Sequence, residues 1–115
     1  MLPLSITEHS PSPGVHTLQV VGEVDILTSP TLEKALLQTL AEDFSRVVLD
    51  LSQVSLFAAK GVAVLTHAHE LALTREVELT LVVANREVRH VLEITGVSKL
   101  LTCHASLDTA LGASG

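Results

Sequence analysis

Apolar and polar positions along the chain switch between two periods, and the clearest switch lies in its middle. Val47-Val48-Leu49-Asp50-Leu51 is an apolar, β-branched run, the pattern of a strand buried on both faces. A short polar connection, Ser52 to Ser55, is predicted to follow. From Gly61 to Thr74 the apolar residues recur at helical spacing, so a helix should pack back on the sheet. The turn between them is Phe57-Ala58-Ala59-Lys60-Gly61. An α/β domain often places its function at such a turn, because the helix N-terminus presents free backbone N–H groups there.

The same reading orders the rest of the chain. Leu4 to Thr7 is a short first strand, and Glu8 to Gly14 a turn region with two prolines and a glycine. Val15 to Val21 alternates with period two and forms a hairpin with the first strand; Gly22 to Asp25 ends it. Ser29 is expected to cap a helix with Pro30 at its first position and Leu32, Ala35, Leu36 and Leu40 on the buried stripe. Glu78 to Val83 reads as a strand. Asn85 should cap a helix over Arg86 to Thr95, with Val88, Val91, Leu92 and Thr95 on one face. Gly96 ends it in the left-handed region, and Val97 folds back towards Leu92. Leu100 to Cys103 is a short final strand. Ser106 caps a last helix, Leu107 to Leu111, before a flexible tail at 112–115. The fold class is therefore α/β, a single domain over residues 1–115. Its sheet has about five strands, mostly parallel with an antiparallel edge hairpin, and about four helices pack against it.

Composition narrows the function classes. Apolar residues make up 47% and charged residues 17%, which fits a packed core rather than disorder. The net charge of -6 and the absence of Trp and Tyr argue against nucleic acid as a partner, which wants basic patches and aromatic platforms. No apolar run is long enough to span a bilayer, and no basic-then-apolar leader opens the sequence, so no membrane insertion is expected. A single cysteine fits a reducing, cytoplasmic setting.

Candidate chemistry is sparse. The histidines are His9, His16, His67, His69, His90 and His104; His67 and His69 point to opposite sides of one helix, so no metal site is expected. HExxH, CxxC, Walker, GxGxxG and GxSxG patterns are absent, and neither a cofactor nor catalysis is expected. Cys103 reads as a buried, inert thiol. Asp50 sits where a phosphorylated receiver domain carries its acceptor. The first strand ends without the acidic pair needed for Mg²⁺, and the last strand ends without a lysine, so Asp50 is assigned to backbone hydrogen bonds at the turn instead.

Three blocks together resemble the STAS domain, in particular the bacterial anti-sigma factor antagonists. Gly22-Glu23-Val24-Asp25 followed by Ser29-Pro30 is similar to the family's G-x-[IVL]-D strand end and first helix. Val47 to Leu65 resembles VVLDLSGVxFIDSSGLGVL. Arg86 to Val97 resembles the V-x-R-V-L-E-L-T-G-L helix. The resemblance implies a non-enzymatic regulator of transcription. Such a protein binds an anti-sigma factor, often an ATP-dependent Ser/Thr kinase, and so frees the sigma factor. That kinase can phosphorylate a Ser in an Asp-Ser-[Ser/Thr]-Gly motif at the start of the second helix, placing about two negative charges where the partners meet. In this chain Ala58 stands at the Asp position, Ala59 at the phosphoacceptor and Lys60 at the next residue; Gly61 alone is kept.

The resemblance thus implies a partner surface made of Asp25, Thr28, Ser29, Ser55, Phe57, Ala58, Ala59, Lys60 and Gly61, with the usual switch absent. Three readings of the substituted turn stay open: drift at a disused site, a cation at Lys60 for an acidic partner or phosphorylated ligand, or an altered helix start in which Ser52 or Ser55 is the cap or a relocated phosphosite. Asp25 is expected to pair with a basic group of the partner or with Lys60. The alternative function is a scaffold or sensor subunit of a larger signalling assembly or of a lipid-transport ATPase complex. A nucleotide-binding role finds no phosphate loop to support it. A second copy of the chain is kept as an alternative partner.

Overall fold

The computed structural model describes residues 4–112. A five-stranded sheet runs in simple order: β1 (Ser5–Ser12), β2 (Val15–Val24), β3 (Arg46–Phe57), β4 (Glu78–Val82) and β5 (Thr102–His104). β1 pairs antiparallel with β2, and every later pairing is parallel. Among the described residues five helices, one more than the sequence reading expects, accompany them: α1 (Ser29–Leu40), α2 (Ala59–Arg75), α3 (Arg86–Ile94), α4 (Val97–Leu100) and, after β5, α5 (Leu107–Gly112). The α/β class and the mixed sheet are as the periodicity predicts.

Strand alternation decides what each face of the sheet carries. Val47, Leu49 and Leu51 of β3 and Leu79 and Leu81 of β4 join the main core. Leu18, Val20 and Val24 of β2, Leu32, Leu36 and Leu40 of α1, Val64, Leu65, Ala68 and Ala72 of α2, and Val88 and Leu92 of α3 pack into the same core. The alternate residues Val48 and Val82 face the other way and pack with Ala110 of α5. Arg46 holds this small second layer. The residue is 4% exposed, and its guanidinium donates to the backbone oxygens of Ala110 and Leu111, carbonyls that a helix end leaves unpaired. Arg46 Nε lies 3.5 Å from Glu78 Oε2, ion-pair distance without hydrogen-bond geometry.

Several boundaries differ from the sequence reading. β1 runs to Ser12 rather than stopping at Thr7, so the hairpin turns only at Pro13-Gly14, where Gly14 has φ of 78°. An edge strand tolerates Pro11, and the register slips between His9 and Ser12. The longer β1 also lets Glu8 and Ser10 reach His16. Its Nε2 lies 2.8 Å from Glu8 Oε1 and its Nδ1 2.8 Å from Ser10 Oγ, with the ring stacked on Phe44. Ser52 to Ser55 is not a connection but part of β3. Two register shifts against β2, between Gln19 and Val21 and between Gly22 and Glu23, each absorb one extra β3 residue, which breaks the alternation that marks a strand. Asp50 belongs to this bulge: it is 2% exposed, and its Oδ1 accepts the Ser52 N–H at 2.9 Å.

The N-cap of α1 is Thr28, with Ser29 already helical and buried. Asn85 does cap α3, its Oδ1 accepting from Glu87 N–H at 2.7 Å and Val88 N–H at 3.2 Å. Gly96, at φ of 84°, leads into α4, a turn of helix the sequence reading does not predict; its last residue, Leu100, is there the start of the final strand. β5 accordingly begins at Thr102. Ser106 Oγ accepts the Thr109 N–H at 3.2 Å at the start of α5, and Gly112 closes that helix; the remainder of the predicted tail, 113–115, lies outside the described residues. Among the described residues no helix is long and apolar enough to cross a membrane.

Candidate partner-binding site

β2 and β3 end side by side, with Val24 paired to Phe57. The chain then turns into α2 through Ala58, whose extended backbone makes it the N-cap and whose N–H donates to Val24 O at 2.8 Å. Gly61 explains the rest of the turn. A Cβ there would lie 2.8 Å from both Phe57 Cζ and Val24 Cγ1, distances that real methyl groups do not reach. Phe57 is 3% exposed, so its ring fills the space a larger residue at 61 would need. Phe57 and Gly61 therefore shape the turn from inside, while Ser55, Leu56, Ala59 and Lys60 are exposed and Ala58 is half-buried.

The neighbouring loop is closed by Asp25. Its Oδ1 accepts the N–H groups of Leu27 and Thr28, each at 2.9 Å, an arrangement that folds a loop on its own aspartate. Thr28 Oγ1 donates to Glu23 O at 2.7 Å and accepts the Asp25 N–H at 2.9 Å. That hydroxyl is thereby committed to the loop, and no side chain caps α1. The Thr28 N–H, ahead of the opposing effect of burial, and then the Leu27 N–H and the Thr28 hydroxyl hold the Asp25 carboxyl below its ordinary range. The Asp25–Lys60 pair considered from the sequence is not formed, and Lys60 makes no ion pair among the described residues.

Loop and turn meet across a cleft of about 370 Å³ between the starts of α1 and α2, lined by Ile26, Ser29, Pro30, Glu33, Lys60 and Val64 among others. Neither helix has a side-chain cap, so Ser52 and Ser55 do not supply one to α2. Ser52 is half-buried; Ser55 is exposed, with Oγ 3.5 Å from Gly22 O. The sequence reading spans this surface, as the turn Ser55 to Gly61 with the loop Asp25 to Ser29, but singles out none of its exposed aliphatic residues. Ile26, Leu27 and Leu56 are 66%, 67% and 44% exposed. Two large aliphatic residues inside an aspartate-closed loop were the signal available, since such residues usually seek a core.

A STAS domain model matches residues 8–110. The chain belongs to the STAS domain family. Among curated relatives, the anti-sigma-F factor antagonist RsfB of Mycobacterium tuberculosis is 26% identical over 108 residues, covering 94% of this chain and 85% of RsfB. The crystal structure of an anti-sigma factor antagonist from Mycobacterium paratuberculosis superposes with a TM-score of 0.88 at 29% identity, over 96% of this chain and 92% of that one. The Bacillus cell fate determinant SpoIIAA in its phosphorylated form shares the fold, with a TM-score of 0.74 at 11% identity, over 96% and 100% of the two chains.

Elsewhere in this STAS domain, Cys103 is not the buried residue the sequence suggested. It lies exposed on the edge strand β5, beside α3. Desolvation still pushes the thiol pKa up and so opposes thiolate chemistry, outweighing nearby Arg89, whose charge favours the thiolate. Among the described residues no group of three His, Cys, Asp or Glu side chains is arranged to hold a metal ion.

Two outcomes test the geometry of the turn and loop. Gly61→Ala should lower stability in urea by about 1–3 kcal/mol, because the packed ring and valine must shift; an unchanged midpoint would contradict the close packing. The second concerns pH. A carboxyl held below its ordinary value of 3.8 adds stability that is fully present above that value and is lost as pH falls through the lowered one. The stability difference between wild type and Asp25→Asn, followed by urea midpoints, should therefore stay level down to about pH 4 and shrink below it. A difference that grows below that pH would reverse the sign.

Proposed function

We propose that this STAS protein is an anti-sigma factor antagonist that acts by binding, in the cytoplasm, and that it stays in the unphosphorylated, binding-competent state. The observation that carries the proposal is Ala59. It is exposed in the first turn of α2, in a frame where Val24, Phe57 and Gly61 are packed, at the position the family resemblance gives to the phosphoacceptor. A methyl group accepts no phosphoryl group, so a partner kinase has nothing to modify there. Lys60 adds a cation beside it, the opposite of the charge that phosphorylation brings.

The similarity to RsfB and to the Mycobacterium paratuberculosis antagonist supports the class of partner. The exposed surface supports the mode. Ile26, Leu27 and Leu56 offer apolar anchors, and Lys60 offers a charge that no ion pair among the described residues neutralises. Asp25 acts from within, by holding the Ile26-Leu27 loop in one shape before the partner arrives, which lowers the ordering cost of association.

The test is incubation with the cognate anti-sigma kinase and Mg-ATP, read by intact mass. The wild-type mass should not change. The triple variant Ala58→Asp, Ala59→Ser, Lys60→Ser, which rebuilds the motif, should gain one phosphate. A phosphate on the wild-type chain mapped to Ser52 or Ser55 would overturn the proposal.

A further inference from the structure

A second cleft, also of about 370 Å³, opens between α3 and the segment that follows β5. That size is within the range of small-molecule sites. It lies at the C-terminal ends of the parallel strands β4 and β5, the edge at which open α/β sheets bind ligands. Val83 and Leu92, each 1% exposed, give it an apolar floor. Arg89 and Glu93 stand one helical turn apart on its α3 wall, a spacing at which opposite charges ordinarily pair. Here no ion pair joins them. Arg89 is turned away by its own bond, Nη2 donating to Val83 O at 3.1 Å, which fixes the guanidinium and leaves other N–H donors open. Cys103 offers no counter-anion, since its thiol donates to Leu101 O at 3.6 Å.

The cleft therefore holds the Arg89 cation and the Glu93 carboxylate, separated and mutually unpaired, above an aliphatic floor, with His104 also in its lining. We propose that it binds a small zwitterion of the amino-acid type with an aliphatic side chain. The carboxylate faces Arg89, the ammonium faces Glu93, and the side chain covers Val83 and Leu92. A simple anion meets the repulsion of Glu93 and a simple cation that of Arg89, so the arrangement selects a dipolar ligand over either half. Arg89 suits a carboxylate in particular, because its planar fork donates two parallel hydrogen bonds. The site is separate from the partner surface, and its test does not depend on that reading.

The experiment is a two-dimensional ¹H–¹⁵N NMR titration of the whole chain with L-leucine, 4-methylpentanoate and 3-methylbutylamine. L-Leucine should give saturable shifts centred on the amides of Val83, Leu92 and Ser98, and each half-ligand should bind at least about tenfold more weakly. Glu93→Gln should weaken L-leucine by a similar factor. The Glu93 side chain makes no hydrogen bond or ion pair among the described residues, and its backbone bonds are untouched by Gln, so this variant tests the site without threatening the structure. Arg89→Lys, which keeps the charge and loses the fork, should weaken carboxylate capture. Absence of saturable shifts with L-leucine, binding of either half-ligand as tight as L-leucine, or unchanged binding in Glu93→Gln would each overturn the proposal.

Discussion

The end of β2, the end of β3 and the start of α2 meet at one close contact, and the candidate surface depends on it. Gly61 lets the first turn of α2 sit directly on the Phe57 ring and on Val24, and the Ala58 N–H is bonded to the Val24 carbonyl. Val24 leads straight into the Asp25 loop, and Phe57 straight into the turn. One contact thus sets the distance between the two surface segments. A side chain at 61 would push α2 away from the strand ends and open the cleft between α1 and α2. This constraint is independent of residues 58–60, so the chemistry of the turn is free to differ without moving its backbone.

That separation between frame and exposed residues is also seen in β3. Its pairing with β4 stops at Asp50 and Val82, while the strand continues to Phe57 against β2 alone. Two extra residues are absorbed in this extension, and the buried Asp50 carboxylate takes up the Ser52 N–H at the first of them. The strand therefore carries the chain out of the sheet's centre to the surface without exposing its apolar face to water. The α5 layer plays no part in this. It is held on the opposite face by Arg46 and by the Val48, Val82 and Ala110 contacts.

Most of the fold was legible because its signals were local. Apolar runs, helical spacing, Asn85 as a cap and Gly96 as a stop each act within a few residues. Where the reading failed, the deciding interaction lay elsewhere in the chain. Ser29 looked like a cap, but Thr28 holds that place with its hydroxyl engaged by Glu23 and Asp25. Ser52 to Ser55 looked like a loop because bulges against β2 break the period of two. Cys103 was placed inside because an edge strand of three residues has the same composition as a central one. At the site, the blocks around Asp25 and Gly61 were readable as motifs. The exposure of Ile26, Leu27 and Leu56 was not, since burial is a property of the assembled surface.

If this STAS protein is an anti-sigma antagonist without the switch at α2, as proposed, it should hold its partner regardless of nucleotide. The direct measurement is the affinity for the cognate anti-sigma kinase by calorimetry, once with Mg-ADP and once after prolonged incubation with Mg-ATP. The account predicts the same dissociation constant in both. Loss of the complex after incubation with ATP, with the kinase still able to bind fresh protein in ADP, would contradict it.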